Sequence, residues 1–220
     1  MAVRVTQVPG AVLEHGQPLI FPDSALAREL CRGEGVELGA AAHNPFNLPG
    51  CRNVAPRDSH VEFYRESQVR MCGAYAEVDL WGLAEAIPVL DESLDYVVSS
   101  HVIEHCADPI GVFLEWKRVL KPGGVAFLIF PKRDALPEDR KRPVSEVSEM
   151  VAAHINRGNA PRSDETHGGD QGHVFVYTLS TMLDLILIAN RRFGLNWKVI
   201  ATQETDDKVG NGHTVAARRL

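Results

Sequence analysis

Three histidines stand where they could move a proton near neutral pH. His101 follows Ser99 and Ser100 at the end of an apolar run, His105 follows Glu104, and His173 closes the stretch SDETHGGDQGH. An imidazole with its ordinary pKa can serve as general base toward a hydroxyl. His101 is the foremost candidate, while His105, close to a helix start, reads more readily as structural. In the third stretch Asp164, His167, Asp170 and His173 recur at intervals of three. Carboxylates and imidazoles so spaced could hold a divalent ion. The same residues read as a Gly-rich polar loop, and no metal is expected.

A second group of chemically useful residues opens at GVELGAAAHNPF, residues 35 to 46. Gly39 ends an apolar strand where the absence of a Cβ lets the backbone turn and a ligand come close. Ala40, Ala41 and Ala42 are the next smallest choices. A pyrophosphate needs a row of free N–H groups at a helix N-terminus. Neither that glycine spacing nor a following helix is present, which disfavours NAD and ATP. A ligand without phosphates, with an amino acid end and a nucleoside end, asks only for close backbone and well-placed acceptors. Glu37 lies inside the strand, where a carboxylate must be paired or hydrogen-bonded; it either orders the cofactor loop or makes a structural bond to loop N–H groups. Asp79 could accept from an adenine amino group while Leu80 or Trp81 covers the ring, or it could cap LAEA. Asp58 could reach ribose hydroxyls, or cap the helix that follows.

These residues lie at strand ends. Apolar runs predict strands at 36–38, 52–55, 77–80, 94–102 and 125–130, then 197–204 and 213–219, the last two an antiparallel pair. Helices are expected at 25–31, 58–71, 109–120, 145–156 and 178–193. Only about a dozen residues separate the first two strands, too few for an ordinary crossover helix. Strands alternating with helices and closing on a hairpin indicate a doubly wound α/β sheet, in which ligands bind beyond the carboxyl ends of the strands. Residues 1–33 read as an N-terminal flank, and 131–172 as a polar insertion outside the core layers, a lid or acceptor-binding segment. One domain over 1–220 is expected.

Composition narrows the partners. With 45% apolar and 24% charged residues the chain has the balance of a globular protein. A formal charge of -6 disfavours a general nucleic-acid binder. The early residues lack a continuous apolar core and no run is long enough to span a bilayer, so no signal peptide, no membrane association and a cytoplasmic location are expected. Cys31, Cys51, Cys72 and Cys106 form no CxxC pair and read as reduced thiols.

The stretch LDYVVSSHVIEHCADPIGVFLEWKRVLKPGGVAFLIFP contains Ser100-His101, Glu104-His105, Asp108-Pro109 and Arg118 to Gly124 in order. In this it resembles the class I S-adenosylmethionine-dependent methyltransferases, especially the methyltransferase domain 11 group, over roughly residues 35 to 131. The resemblance implies a single-domain Rossmann-like sheet of seven strands with the last antiparallel. It also implies an enzyme that transfers a methyl group from S-adenosyl-L-methionine. GVELG matches the family's first motif, so Glu37 and Gly39, with Ala40 and Ala41, fall to the cofactor loop. Asp79 with Leu80 falls to the adenine side, and Ser99, Ser100 and His101 lie beneath the methionine end. Where relatives place an acid for the ribose this chain reads Asn53-Val54-Ala55-Pro56, leaving Asp58 as the substitute. The expected acceptor is a small molecule, such as a sugar or a secondary metabolite in biosynthesis. A catalytically silent binding or scaffold protein, or an enzyme using the cofactor for other chemistry, is the alternative. The acceptor's identity and the oligomeric state stay open at this point.

Overall fold

The computed structural model describes residues 2–57, 60–157 and 172–220. Its centre is a seven-stranded sheet made of β2 (Gly35–Leu38), β3 (Cys51–Ala55), β5 (Leu80–Trp81), β6 (Leu94–Ser100), β7 (Leu120–Pro131), β8 (Trp197–Gln203) and β9 (Gly212–Arg219), in the order β5-β3-β2-β6-β7-β9-β8. The first five of that order run parallel, and β9 is antiparallel to both its neighbours. The expected doubly wound sheet with an antiparallel final strand is the one observed. The strand order reverses between β2 and β6, and a crevice opens beyond their carboxyl ends.

Burial explains the central strands. Every residue of β2 is buried, as are Tyr96 to Ser99 of β6 and Val125 to Pro131 of β7, the mark of parallel strands covered on both faces. Helix α3 (Pro109–Val119) covers one face with Ile110, Val112, Phe113, Trp116 and Val119. Its N-cap, Asp108, accepts the N–H of Gly111 at 2.8 Å. Helix α6 (Leu179–Phe193) adds Met182, Leu185, Ile186 and Ala189 to the same core, capped by Thr178 and ended by Gly194 at φ +67°. On the other face Phe46, Leu48, Tyr96, Phe127 and Ile129 form a second cluster with Ala27 of α1 (Ala25–Leu30).

Three local expectations differ from what is found. The third strand, expected at 77–80, shrinks to the two residues of β5, and turns follow it over LAEAIP. The short β4 (Ala74–Ala76), after α2 (His60–Cys72), pairs antiparallel with β1 (Val5–Gln7) in a separate two-stranded sheet. The flank is thereby bound to the body of the domain. Within the polar stretch after β7, α4 (Pro137–Arg140) is followed by α5 (Val147–Ile155), whose Met150 is fully buried in the main core. Thus α5 is part of a core layer, not an appendage: His154 Nδ1 sits 3.0 Å from both carboxylate oxygens of Asp108, the cap of α3.

Candidate active site

The loop after β2 contains no helix, as expected, and four of its amides are used to hold it in place. Gly39 donates to Val54 O, Ala40 to Asn53 Oδ1 at 3.0 Å, Ala42 to Gln68 Oε1 at 2.8 Å, and Phe46 to both carboxylate oxygens of Glu37. A phosphate would find none of these four N–H groups free. Gly39 itself has φ +67°, and a Cβ there would stand 3.4 Å from Val102 Cγ2. Lys208, from the β8–β9 connection, is buried and donates to the carbonyls of Pro45 at 2.7 Å and Pro22 at 3.2 Å. Burial pushes the Glu37 carboxyl up to about 7, against the opposing pull of the Phe46 N–H and Lys208. Burial lowers the Lys208 ammonium in turn.

Beyond this loop lies a cleft of about 720 Å³, walled by the ends of β2, β3, β5 and β6. Glu37, Gly39, Ala40, Ala41, Ser100, His101 and His105 line it, so the structure brings these sequence-derived candidates together. Tyr64, Met71 and Trp81 give it an apolar side. Among the lining residues, His43 Nδ1 and Asn44 Oδ1 are buried polar atoms without a hydrogen-bond partner, and His101 Nε2 is buried with Asn211 beside the ring. His101 has φ +56°, and its Nδ1 lies 3.0 Å from Ser100 Oγ. Burial holds its imidazole below the ordinary histidine value, partly offset by Asp206 and Asn211.

Other candidates are placed elsewhere. Asp79 does not line the cleft; its carboxylate accepts from Arg4 Nη2 and from the N–H of Asn53, both at 2.9 Å. These bonds fasten the flank to β3. Leu80 packs against the main core and leaves the cleft wall to Trp81. Ser99 is fully buried behind the wall. Asp58 lies outside the described residues, as do Asp164, His167 and Asp170.

His173 is not a lining residue. It belongs to a polar group with Glu104, His105, Asp139 and Arg142, of which His105 lines the cleft and Arg142 is partly exposed. Its Nδ1 bonds Asp139 Oδ2, and its ring meets that of His105 edge-on at 4.9 Å. Glu104 is fully buried, and burial with Asp139 nearby drives its carboxyl up to about 8 despite its own backbone N–H.

Asn53, Gln68 and Lys208 were not singled out in the sequence, although each holds the loop. Asn53 and Gln68 are buried polar residues whose only sequence signal is a polar side chain within an otherwise apolar strand or helix face.

The model of the methyltransferase domain family matches residues 63–128. Over these 66 of its 220 residues the chain is similar to that family. It is 32% identical over 129 residues to a probable S-adenosylmethionine-dependent methyltransferase of Mycolicibacterium smegmatis, covering 57% of this chain and 49% of that one. It is 33% identical over 132 residues to an uncharacterized protein of a Streptomyces fradiae transposon, covering 59% of this chain and 36% of that one. The chain thus spans less than half the length of either curated relative. Among solved structures it resembles a Thermotoga maritima methyltransferase, with TM-score 0.52 at 20% identity over 89% of this chain and 86% of that one. A Methanosarcina mazei methyltransferase gives 0.52 at 16%, over 90% and 99%. These last likenesses bear on the fold. Among the described residues no helix is long and apolar enough to cross a membrane.

Proposed function

We propose that the chain transfers a methyl group from S-adenosylmethionine to a small-molecule acceptor, such as a sugar or a secondary metabolite, in the cytoplasm. What carries the reading is the loop at Gly39, where the N–H groups of Gly39, Ala40, Ala42 and Phe46 are directed to Val54, Asn53, Gln68 and Glu37. Such a loop suits a cofactor without phosphates. The unpartnered atoms of His43 and Asn44 are of the kind an amino acid end would satisfy, and Trp81 and Tyr64 offer surface for a flat base. The residues present therefore fit the cofactor.

The sulfonium supplies an activated methyl group, and the chain's share of the reaction is placement and exclusion of water. Glu37 holds the loop closed from beneath. His101, kept neutral by burial, can accept the proton of a hydroxyl acceptor through Nε2 while Ser100 fixes Nδ1. His105, which lines the same cleft, is the second candidate for contact with the acceptor. His173, behind the wall, becomes a positioning residue in this reading.

The reading of a silent binding protein, or of other chemistry on the same cofactor, has one observation in its favour. The end of β3 offers Ala55 and Pro56 where relatives place an acid, and Arg57 lies over Trp81 at 5.5 Å. Calorimetric titration with S-adenosylmethionine, followed by a mass-spectrometric acceptor screen, separates the three. Absence of binding sinks the enzyme reading, binding without any product favours the silent protein, and a mass gain other than one methylene points to other chemistry.

A further inference from the structure

Glu104 makes an unusual demand on its surroundings. The side chain is fully buried, yet neither carboxylate oxygen receives a hydrogen bond from another described residue. A bare buried carboxylate costs several kcal/mol, and such groups are ordinarily paired or bound to a cation. Its Oε1 lies 3.9 Å from Nε2 of His105 and 3.9 Å from Nε2 of His173. We propose that Glu104, His105 and His173 form a binding site for one divalent transition-metal ion, set into the wall of the cleft.

The geometry is close to that of a loaded site. Two donors at ~2.1 Å from a common ion can be at most ~4.2 Å apart. Both pairs at 3.9 Å meet that limit, and all three donor atoms lie within 4.8 Å of one another, so a small rotation of one imidazole completes the set. His173 is held for this role. Its Nδ1 is engaged by Asp139, itself fixed by Arg142 Nη1 at 3.0 Å, which directs Nε2 toward Glu104. A carboxylate behind a ligating histidine sets its tautomer and raises its basicity. The backbone is braced as well. Arg142 donates to the carbonyls of His173 and Val174 at 2.6 and 2.9 Å, and the N–H of Val174 reaches Glu104 O at 2.7 Å. Two imidazoles and one carboxylate suit zinc, cobalt, manganese or iron(II), and provide too few oxygens for calcium or magnesium. Because His105 lines the cleft, the open coordination positions would face it, where they could hold an acceptor oxygen. Only that use rests on the methyl-transfer reading; the site itself does not.

The competing arrangement is a protonated His173 shared between Asp139 and Glu104 with no ion. Cobalt(II) added to the full chain, stripped with EDTA and free of any histidine tag, distinguishes them. The expected result is one ion per chain with visible d–d absorption, displaced by zinc. Glu104→Gln and His173→Ala should abolish the spectrum, and Asp139→Asn should weaken binding ~10–100-fold. Calorimetry with S-adenosylmethionine on each variant reports whether the fold survives. No cobalt or zinc binding by the wild-type chain, or binding that Glu104→Gln leaves unchanged, overturns the proposal. A chain that binds cobalt stoichiometrically but not S-adenosylmethionine keeps the metal site and loses the methyl-transfer reading.

Discussion

The N–H of Phe46 lies 3.1 Å from Oε2 of Glu37, joining the far end of the β2–β3 loop to the strand from which it leaves. With Lys208 holding Pro45 from the other side, the loop is fastened by a buried acid and a buried base.

Glu37 therefore makes stability depend on pH with a sign opposite to that of an ordinary paired acid. The folded chain keeps the Glu37 proton up to about 7, whereas an exposed glutamate loses it near ~4.3. Between those values the folded state binds more protons, so stability is full below the unfolded pKa and is lost as pH rises through about 7. Glu37→Gln keeps an acceptor for Phe46 and removes the titration. Urea unfolding at pH 5 and pH 8 should show the wild type losing up to about 3 kcal/mol relative to this variant. Equal losses in both proteins would refute the assignment.

Gln68 makes a more local prediction. Its Oε1 accepts from Ala42 N at 2.8 Å and Ala76 N at 2.9 Å, linking the loop after β2 to β4. Gln68→Ala strands two buried donors, each at a cost of about 1–3 kcal/mol. Denaturant unfolding should register a loss of about 2–5 kcal/mol, and S-adenosylmethionine affinity should fall with it. A loss below about 1 kcal/mol means that water replaces the amide.

What could be read from the sequence follows from the range of the interactions. β6, α3 and the closing hairpin carry their own apolar periods, caps and turn residues, and the missing helix after Gly39 follows from two prolines in a short span. β4 has three residues, too few for a period, and exists because β1 lies beside it. The apolar side of α5, Val147, Met150 and Val151, is short and set in polar sequence, so its place in the core follows from contacts with α3 and α6. Asp79 sits at the position the family motif assigns to the cofactor, and no local spacing shows its bond to Arg4, 75 residues earlier. Nor does spacing show that Glu104 and His173 meet, since Arg142 and Asp139 bring them together from a third segment.

Gly39 tests whether the cofactor sits where proposed. At φ +67° a side chain costs about 1–2 kcal/mol, and more for a β-branched residue. Gly39→Val also meets Val102 across the cleft floor. Calorimetry should show S-adenosylmethionine binding at least ~100-fold weaker in Gly39→Val, since the strain of a β-branched residue and lost contact add. Ala41→Gly, which removes only a methyl group from the wall, should stay within a few-fold. If Gly39→Val folds and binds normally, the cofactor lies elsewhere.

His101 is the general base of the proposed reaction. Its positive φ restricts the choice of variant, and asparagine is suitable because it tolerates that backbone while lacking a basic nitrogen. With the hydroxyl acceptor returned by the screen, His101→Asn should lower kcat by ~10²–10⁴, the usual contribution of a general base. S-adenosylmethionine affinity should change little, which separates loss of the base from collapse of the site. The pH profile gives the second readout. Because burial lowers the imidazole pKa, His101 is already neutral at pH 7, and kcat/KM should hold level on acidification until below the ordinary histidine value. That acid limb should vanish in His101→Asn. If the limb persists in the variant, or kcat is unchanged, the proton leaves by another route and His101 only shapes the wall.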